Sequence, residues 1–190
     1  MVKRSAGEKV LETGSTLFRQ AGYAATSVEE ICEKAGVTKG AFFYHYKSKE
    51  ALGAACLAEW DRFGAALDDG LSKPNASDTS DDPVTDLVFF MDGIIELFAK
   101  PGVYQSCLAG TIIHEFAQSN PQLKDGVQRC FTGAEGRFQN LLDAVCRVSG
   151  EQADTASLAC LWLATMQGPF TLYKASGNRE IGRKNLGHVS

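Results

Sequence analysis

The sequence predicts an all-α chain built as a small N-terminal helical unit and a larger helical body. Apolar residues recur at three- and four-residue spacing through every long segment, and Gly, Pro and Ser-Asn-Pro clusters stand where one periodic segment stops and the next begins. Length agrees, since 190 residues suffice for one small and one medium unit that bury apolar surface together.

The first helix is expected from about Ser5 to Ala21, with Val10, Leu17, Phe18 and Ala21 on one face, and Gly22 ends it. Thr26 followed by Glu29 matches a capping box, and Val28, Ile31, Cys32 and Ala35 continue it as a short amphipathic helix. Gly36 supplies a tight turn, and Thr38 caps a second short helix running to about Tyr46. Two short helices meeting steeply across a Gly turn make a helix-turn-helix. Neither is long enough to stand alone, so the apolar face of the first helix must pack on both. The second opens with Lys39, Gly40 and Ala41, whose two small side chains let the backbone approach base edges in a major groove. Towards its end Tyr44, His45, Lys47 and Lys49 offer donors suited to the flanking phosphates. A packed core has no need of small residues first, then donors, then Lys-Ser-Lys.

Ser48 is expected to cap a connecting helix that carries Leu52, Ala55, Cys56, Trp60, Phe63 and Leu67 and reaches about Leu71. Ser72 to Pro83 is too polar to pack and is expected as an exposed loop. Pro83 then opens a helix apolar nearly all round, from Leu87 through Phe98, which places it centrally in the body. Lys100-Pro101-Gly102 breaks the chain before a helix over Gln105–Gln118. Asn120 and Pro121 start a long helix to about Val148, and the last strong helix spans about Asp154 to Ala175, with a kink expected at Pro169. Apolar positions on this last helix exceed one packing face, and the surplus is expected to form a subunit interface.

GVTKGAFFYHYKSKEAL, with TSVEEICEKA ahead of it, resembles the DNA-binding domain of the tetracycline-repressor (TetR) family of transcriptional regulators, over about Glu8 to Leu52. The rest of the chain agrees with the family in length and helical pattern. The resemblance implies a helix-turn-helix DNA-binding domain at residues 1–47 and a helical ligand-binding and dimerisation domain at 48–190. It implies a ligand-released repressor that holds a palindromic operator on double-stranded DNA as a homodimer. The residues expected at the DNA are Thr26, Ser27, Thr38, Lys39, Gly40, Ala41, Phe43, Tyr44, His45 and Lys49. At Phe43 the family often has a phosphate-contacting tyrosine, so Tyr44 is expected to carry more of that contact. In such proteins the connecting helix transmits ligand state, and the helix corresponding to Asp154–Ala175 pairs, together with a final helix after it, with their copies in a four-helix bundle. Here the tail from Asn178 to Ser190 departs from that pattern, being short and polar with Gly182 and Gly187.

A small apolar inducer is expected in the body near Trp60, Phe63, Phe90, Phe98, Cys107 and Phe116, with plain core packing as the alternative for each. The Ser-Cys-Leu-Ala-Gly run at Cys107 also resembles the segment where some TetR-like regulators place a reactive cysteine. A helix starting near Gln105 would favour its thiolate.

Net charge is −4, but it is unevenly spread. Residues 1–50 hold eight basic against six acidic side chains, and the remainder 11 against 17, so an acidic body stands behind a mildly basic head. The sequence has no apolar run of 18 residues, and its first 20 lack a signal-peptide core, which leads to the expectation of a cytoplasmic protein with no membrane partner. Six cysteines without a C-x-x-C pair are expected as small buried hydrophobes. His114 and Glu115 lack a second histidine at Gln118, and there is neither a Gly loop after a strand nor a Ser, His and Asp set. No catalytic residue, cofactor or metal is therefore expected. The alternative, a small all-helical enzyme or ligand carrier without DNA binding, finds no supporting pattern.

Overall fold

A computed structural model describes residues 4–71, 82–99, 106–116, 120–178 and 180–181, without the side chains of 67–71 and 97–99. Among the described residues the fold is all-helical, in the order α1 (Ala6–Ala21), α2 (Val28–Ala35), α3 (Lys39–His45), α4 (Lys49–Leu71), α5 (Pro83–Ala99), α6 (Leu108–Phe116), α7 (Pro121–Ser149) and α8 (Thr155–Ser176). The chain divides into two compact units, one of Met1–Trp60 with Cys107–Cys130, the other of Asp61–Ser106 with Phe131–Ser190.

Local chemistry sets most helix starts. Ser5 and Glu8 form a reciprocal capping box on α1. Thr38, Ser48, Asn120 and Asp154 each accept the N–H three residues on, from Ala41, Ala51, Leu123 and Ser157, all at 3.1 Å. Pro121 occupies the first helical position of α7, where its missing N–H costs nothing. Gly36 (φ +64°) and Gly177 (φ +67°) close α2 and α8 in the left-handed conformation.

The core of the first unit contains Val10, Leu17, Phe18, Tyr23, Ile31, Phe42, Leu52, Leu57, Leu108, Ile112, Leu123 and Val127, all fully or almost fully buried. Side chains of this size contribute roughly 1.5–3 kcal/mol each when removed from water. Gly14 belongs to the packed face of α1, because a Cβ there would lie 2.8 Å from Leu52 Cδ2. Ala21, expected on that face, is exposed instead.

In the second unit Phe90, Ile94, Phe138, Ala159 and Met166 form the core, with Leu87, Met91, Leu141, Leu142 and Trp162 against it. Phe138 and Trp162 stack with ring centroids 4.3 Å apart.

Two expectations change here. α5 is not buried all round, since Val84, Val88 and Phe89 are exposed while Phe90 and Ile94 point inward. α6 begins at Leu108, and Cys107 precedes it. Helix α8 runs uninterrupted through Pro169 to Ser176. Along α8, Leu158, Leu161 and Leu172 are exposed, and with Thr165 and Gly168 they recur at alternating three- and four-residue intervals. The Ser72–Pro83 loop up to 81, the break at 100–105 and the tail from 182 lie outside the described residues.

Candidate nucleic-acid interface

The helix-turn-helix is positioned from below by α1. Phe42, fully buried, is the anchor of α3 in the core. Tyr46, just past the helix, donates its hydroxyl to Gly7 O at 3.2 Å, and His45 packs so closely on Gly7 that a Cβ there would lie 2.9 Å from its Nδ1. Burial raises the Tyr46 phenol above its ordinary range. With one face of α3 fixed in this way, the remaining face is free for solvent or a partner.

That face holds most of the expected contact residues. Tyr44 is 79% exposed and Phe43 46% exposed, one aromatic with a hydroxyl at its tip and one without. Around Gly40 there is open space, the nearest atom to a would-be Cβ being Thr38 Oγ1 at 3.8 Å. Thr38 is exposed and Ala41 half-buried. Lys39 pairs with Glu29 of α2, and the hydrogen bond from Lys39 is the largest cause holding the Glu29 carboxyl below its usual range. Ser27 is exposed and caps α2, accepting the Glu30 N–H at 3.1 Å.

Two residues stand differently from the sequence expectation. The cap of α2 is Ser27, not Thr26. Thr26 is fully buried and donates its hydroxyl to Gly22 O at 2.7 Å, because a hydroxyl taken inside a turn must find a carbonyl. Lys49 faces inward, donating to Tyr23 O and Thr26 O at 3.0 Å each. Its ammonium therefore commits two of three donors within the chain. Tyr46 is not singled out by the sequence reading, and its only signal there is membership of the aromatic run.

The residues expected around an inducer divide between the two units. In the first, Trp60 lies beneath the Arg19 guanidinium at 5.1 Å, Phe116 meets Tyr23 edge-on, and Cys107 is buried with its Sγ accepting the Gly110 N–H at 3.4 Å. In the second, Phe90 is buried against Phe138 and Trp162, whereas Phe63 is exposed. The Phe98 side chain lies outside the described residues. A separate open depression of about 570 Å³ lies between the end of α7 and the start of α8, lined by Asp143, Cys146, Arg147, Glu151, Gln152, Ala153 and Thr155. Among the described residues no three His, Cys, Asp or Glu side chains group as metal ligands, and no helix is long and apolar enough to cross a membrane.

Residues 10–56, from within α1 to within α4, match the family model of bacterial regulatory proteins of the tetR family. Over 182 residues the chain is 29% identical to the HTH-type transcriptional repressor DhaR of Mycobacterium sp. (strain GP1), covering 95% of this chain and 88% of that one. Residues 10–56 are a tetR-family DNA-binding domain. The chain is a DNA-binding transcriptional regulator. The fold extends through the body. Escherichia coli NemR in its reduced form superposes with a TM-score of 0.78 at 22% identity, covering 98% of this chain and 96% of that one. A TetR-family regulator from Agrobacterium tumefaciens does so with a TM-score of 0.82 at 16% identity, over 97% and 95%. At these identities the tetR-family likeness to solved structures concerns fold alone.

Proposed function

We propose that this chain is a cytoplasmic, ligand-released repressor of the tetR family that binds a palindromic operator as a homodimer, with residues 1–47 reading DNA and 48–190 carrying inducer and dimer contacts. The observation that carries the reading is the split character of α3. Phe42 is fully buried while Gly40 is bare and Tyr44 almost fully exposed, so the helix offers a close approach at its start and a donor near its end.

On this reading Thr38, Lys39, Gly40 and Ala41 lie nearest the bases. Ser27, Phe43, Tyr44 and His45 lie along the backbone, Lys49 contributes its charge beside the phosphates, and Thr26 acts from inside by holding the turn. Support for a dimer comes from the Leu158, Leu161, Thr165, Gly168, Leu172 seam of α8, whose three-four spacing suits a helix partner. Repression is supported by the likeness to DhaR, a protein named as a repressor. For the inducer, apolar character at Trp60, Phe63, Phe90, Phe98, Cys107 and Phe116 supports a small apolar compound.

Selection of duplexes from a random pool tests this. The expected outcome is an inverted repeat with half-sites about one or two helical turns apart, near ~34–36 Å or a multiple. Recovery of unrelated sequences, or of single half-sites by a monomer, would refute it.

A further inference from the structure

The turn between α1 and α2 is held by a residue 91 positions downstream of it. Glu115, in the last turn of α6, accepts the Ala24 N–H with its Oε2 at 2.5 Å. The same carboxylate lies directly on Gly22, where a Cβ would come within 2.5 Å of Oε1. Gly22 also has φ +99°, so glycine is required both by the backbone and by the carboxylate above it. The next residue of α6, Phe116, sets its ring edge-on to Tyr23 with centroids 4.9 Å apart. Lys49 of α4 takes the carbonyls of Tyr23 and Thr26, and Thr26 Oγ1 ties back to Gly22 O.

An N–H of the turn is therefore satisfied from α6, and its carbonyls from α4. Helix α2 starts directly afterwards, capped by Ser27, so the direction in which it leaves the turn is set by these contacts. Helix α3 follows across the Gly36 turn and inherits that direction. A carboxylate accepting a backbone N–H is a charge-assisted bond, among the stronger ones available to a turn.

We propose that Glu115 is a positioning residue for DNA reading: from outside the helix-turn-helix, its carboxylate fixes the Gly22–Thr26 turn and thereby the placement of α2 and α3. This rests on the DNA-binding reading above and deepens it. Glu115 touches no phosphate in this role, so its loss degrades the fit to a preferred sequence without changing the number of phosphates neutralised.

The test uses the full chain as wild type, Glu115→Ala and Glu115→Gln, titrated over a salt series against a duplex selected by the wild type and a scrambled duplex of the same length. Glu115→Ala is expected to weaken the selected duplex roughly tenfold, the scale of a lost charged hydrogen bond, and the scrambled duplex by less than about threefold. The log–log salt slope should not change. Glu115→Gln keeps a carbonyl that can accept the Ala24 N–H and is expected within about threefold of wild type. Amide exchange gives a second readout: the peptide containing Ala24 should exchange faster in Glu115→Ala than in Glu115→Gln, while the peptide containing Ile31 stays protected and reports an intact fold. The inference is overturned if Glu115→Ala binds the selected duplex as wild type does, loses both duplexes equally, or is matched by Glu115→Gln. If the wild type selects no duplex, the DNA-binding reading itself fails and the inference with it.

Discussion

The ammonium of Lys49 lies 4.5 Å from the centroid of the Tyr23 ring while it hydrogen-bonds the Tyr23 carbonyl. A residue expected from sequence as a phosphate contact is thus also a structural tie. Lys49→Ala should lower unfolding free energy by about 1–3 kcal/mol, from two charged hydrogen bonds and a cation–π contact. Because the charge near the DNA is removed as well, the salt slope of a dimer should flatten by about two. Denaturant unfolding and a salt titration read the two effects separately, and an unchanged slope would leave Lys49 a purely structural residue.

Gly40 is predicted to tolerate a side chain in the free protein and not on DNA. Its surroundings are open, so Gly40→Leu should unfold within about 1 kcal/mol of wild type. Preference for the selected duplex over a scrambled one should nevertheless disappear. Retained preference would mean that α3 docks by another face.

Tyr23 carries a buried hydroxyl with no hydrogen-bond partner among the described residues, and burial is the first cause raising its phenol above the ordinary value of 10.0. Removing an unsatisfied hydroxyl should help, so Tyr23→Phe is expected to stabilise the protein by about 1 kcal/mol. The pH dependence has a definite sign. In the unfolded chain this phenol ionises near 10, whereas in the fold it stays protonated, so its contribution is complete below that pH and is lost as pH rises towards the folded value. Thermal unfolding followed from pH 8 to about 11 should show wild type losing stability faster than Tyr23→Phe at the alkaline end.

Much of this was legible because it is local. The caps at Thr38, Ser48 and Asn120 act on an N–H three residues away, and sequence displays both partners. The choice of Ser27 over Thr26 was not legible, because both are competent caps and the decision rests on Thr26 finding Gly22 O inside the turn. Likewise the periodicity of α5 displays apolar residues on every side, but not that Val84, Val88 and Phe89 are left exposed. Glu115 has no local signal at all: its partner is at Ala24, and only the packing of α6 on α1 brings them together.

Burial orders the cysteines. Cys160 is exposed, Cys146 intermediate, and Cys32, Cys56, Cys107 and Cys130 are buried. Burial pushes the Cys56 thiol up to about 12 and also raises that of Cys32. Under native conditions at neutral pH, iodoacetamide followed by peptide mass spectrometry should therefore label Cys160 first and Cys56 last. Labelling of Cys107 ahead of Cys160 would show that the helix-start amide of Gly110 outweighs burial at that thiol.

Phe90→Ala tests whether the aromatic cluster of the second unit is a solid core. Removing a ring that packs on both Phe138 and Trp162 should cost about 3–5 kcal/mol. A loss under about 1 kcal/mol, with gain of binding to an apolar compound, would instead identify a cavity there.

The salt dependence of binding to the DNA flanking the gene tests the central claim most directly. If each protomer of a dimer neutralises about three to four phosphates, affinity should fall with a log–log slope of roughly −5 to −7, and one complex of dimer stoichiometry should form. No shift at micromolar protein in low salt, or a salt-independent complex, would contradict the account.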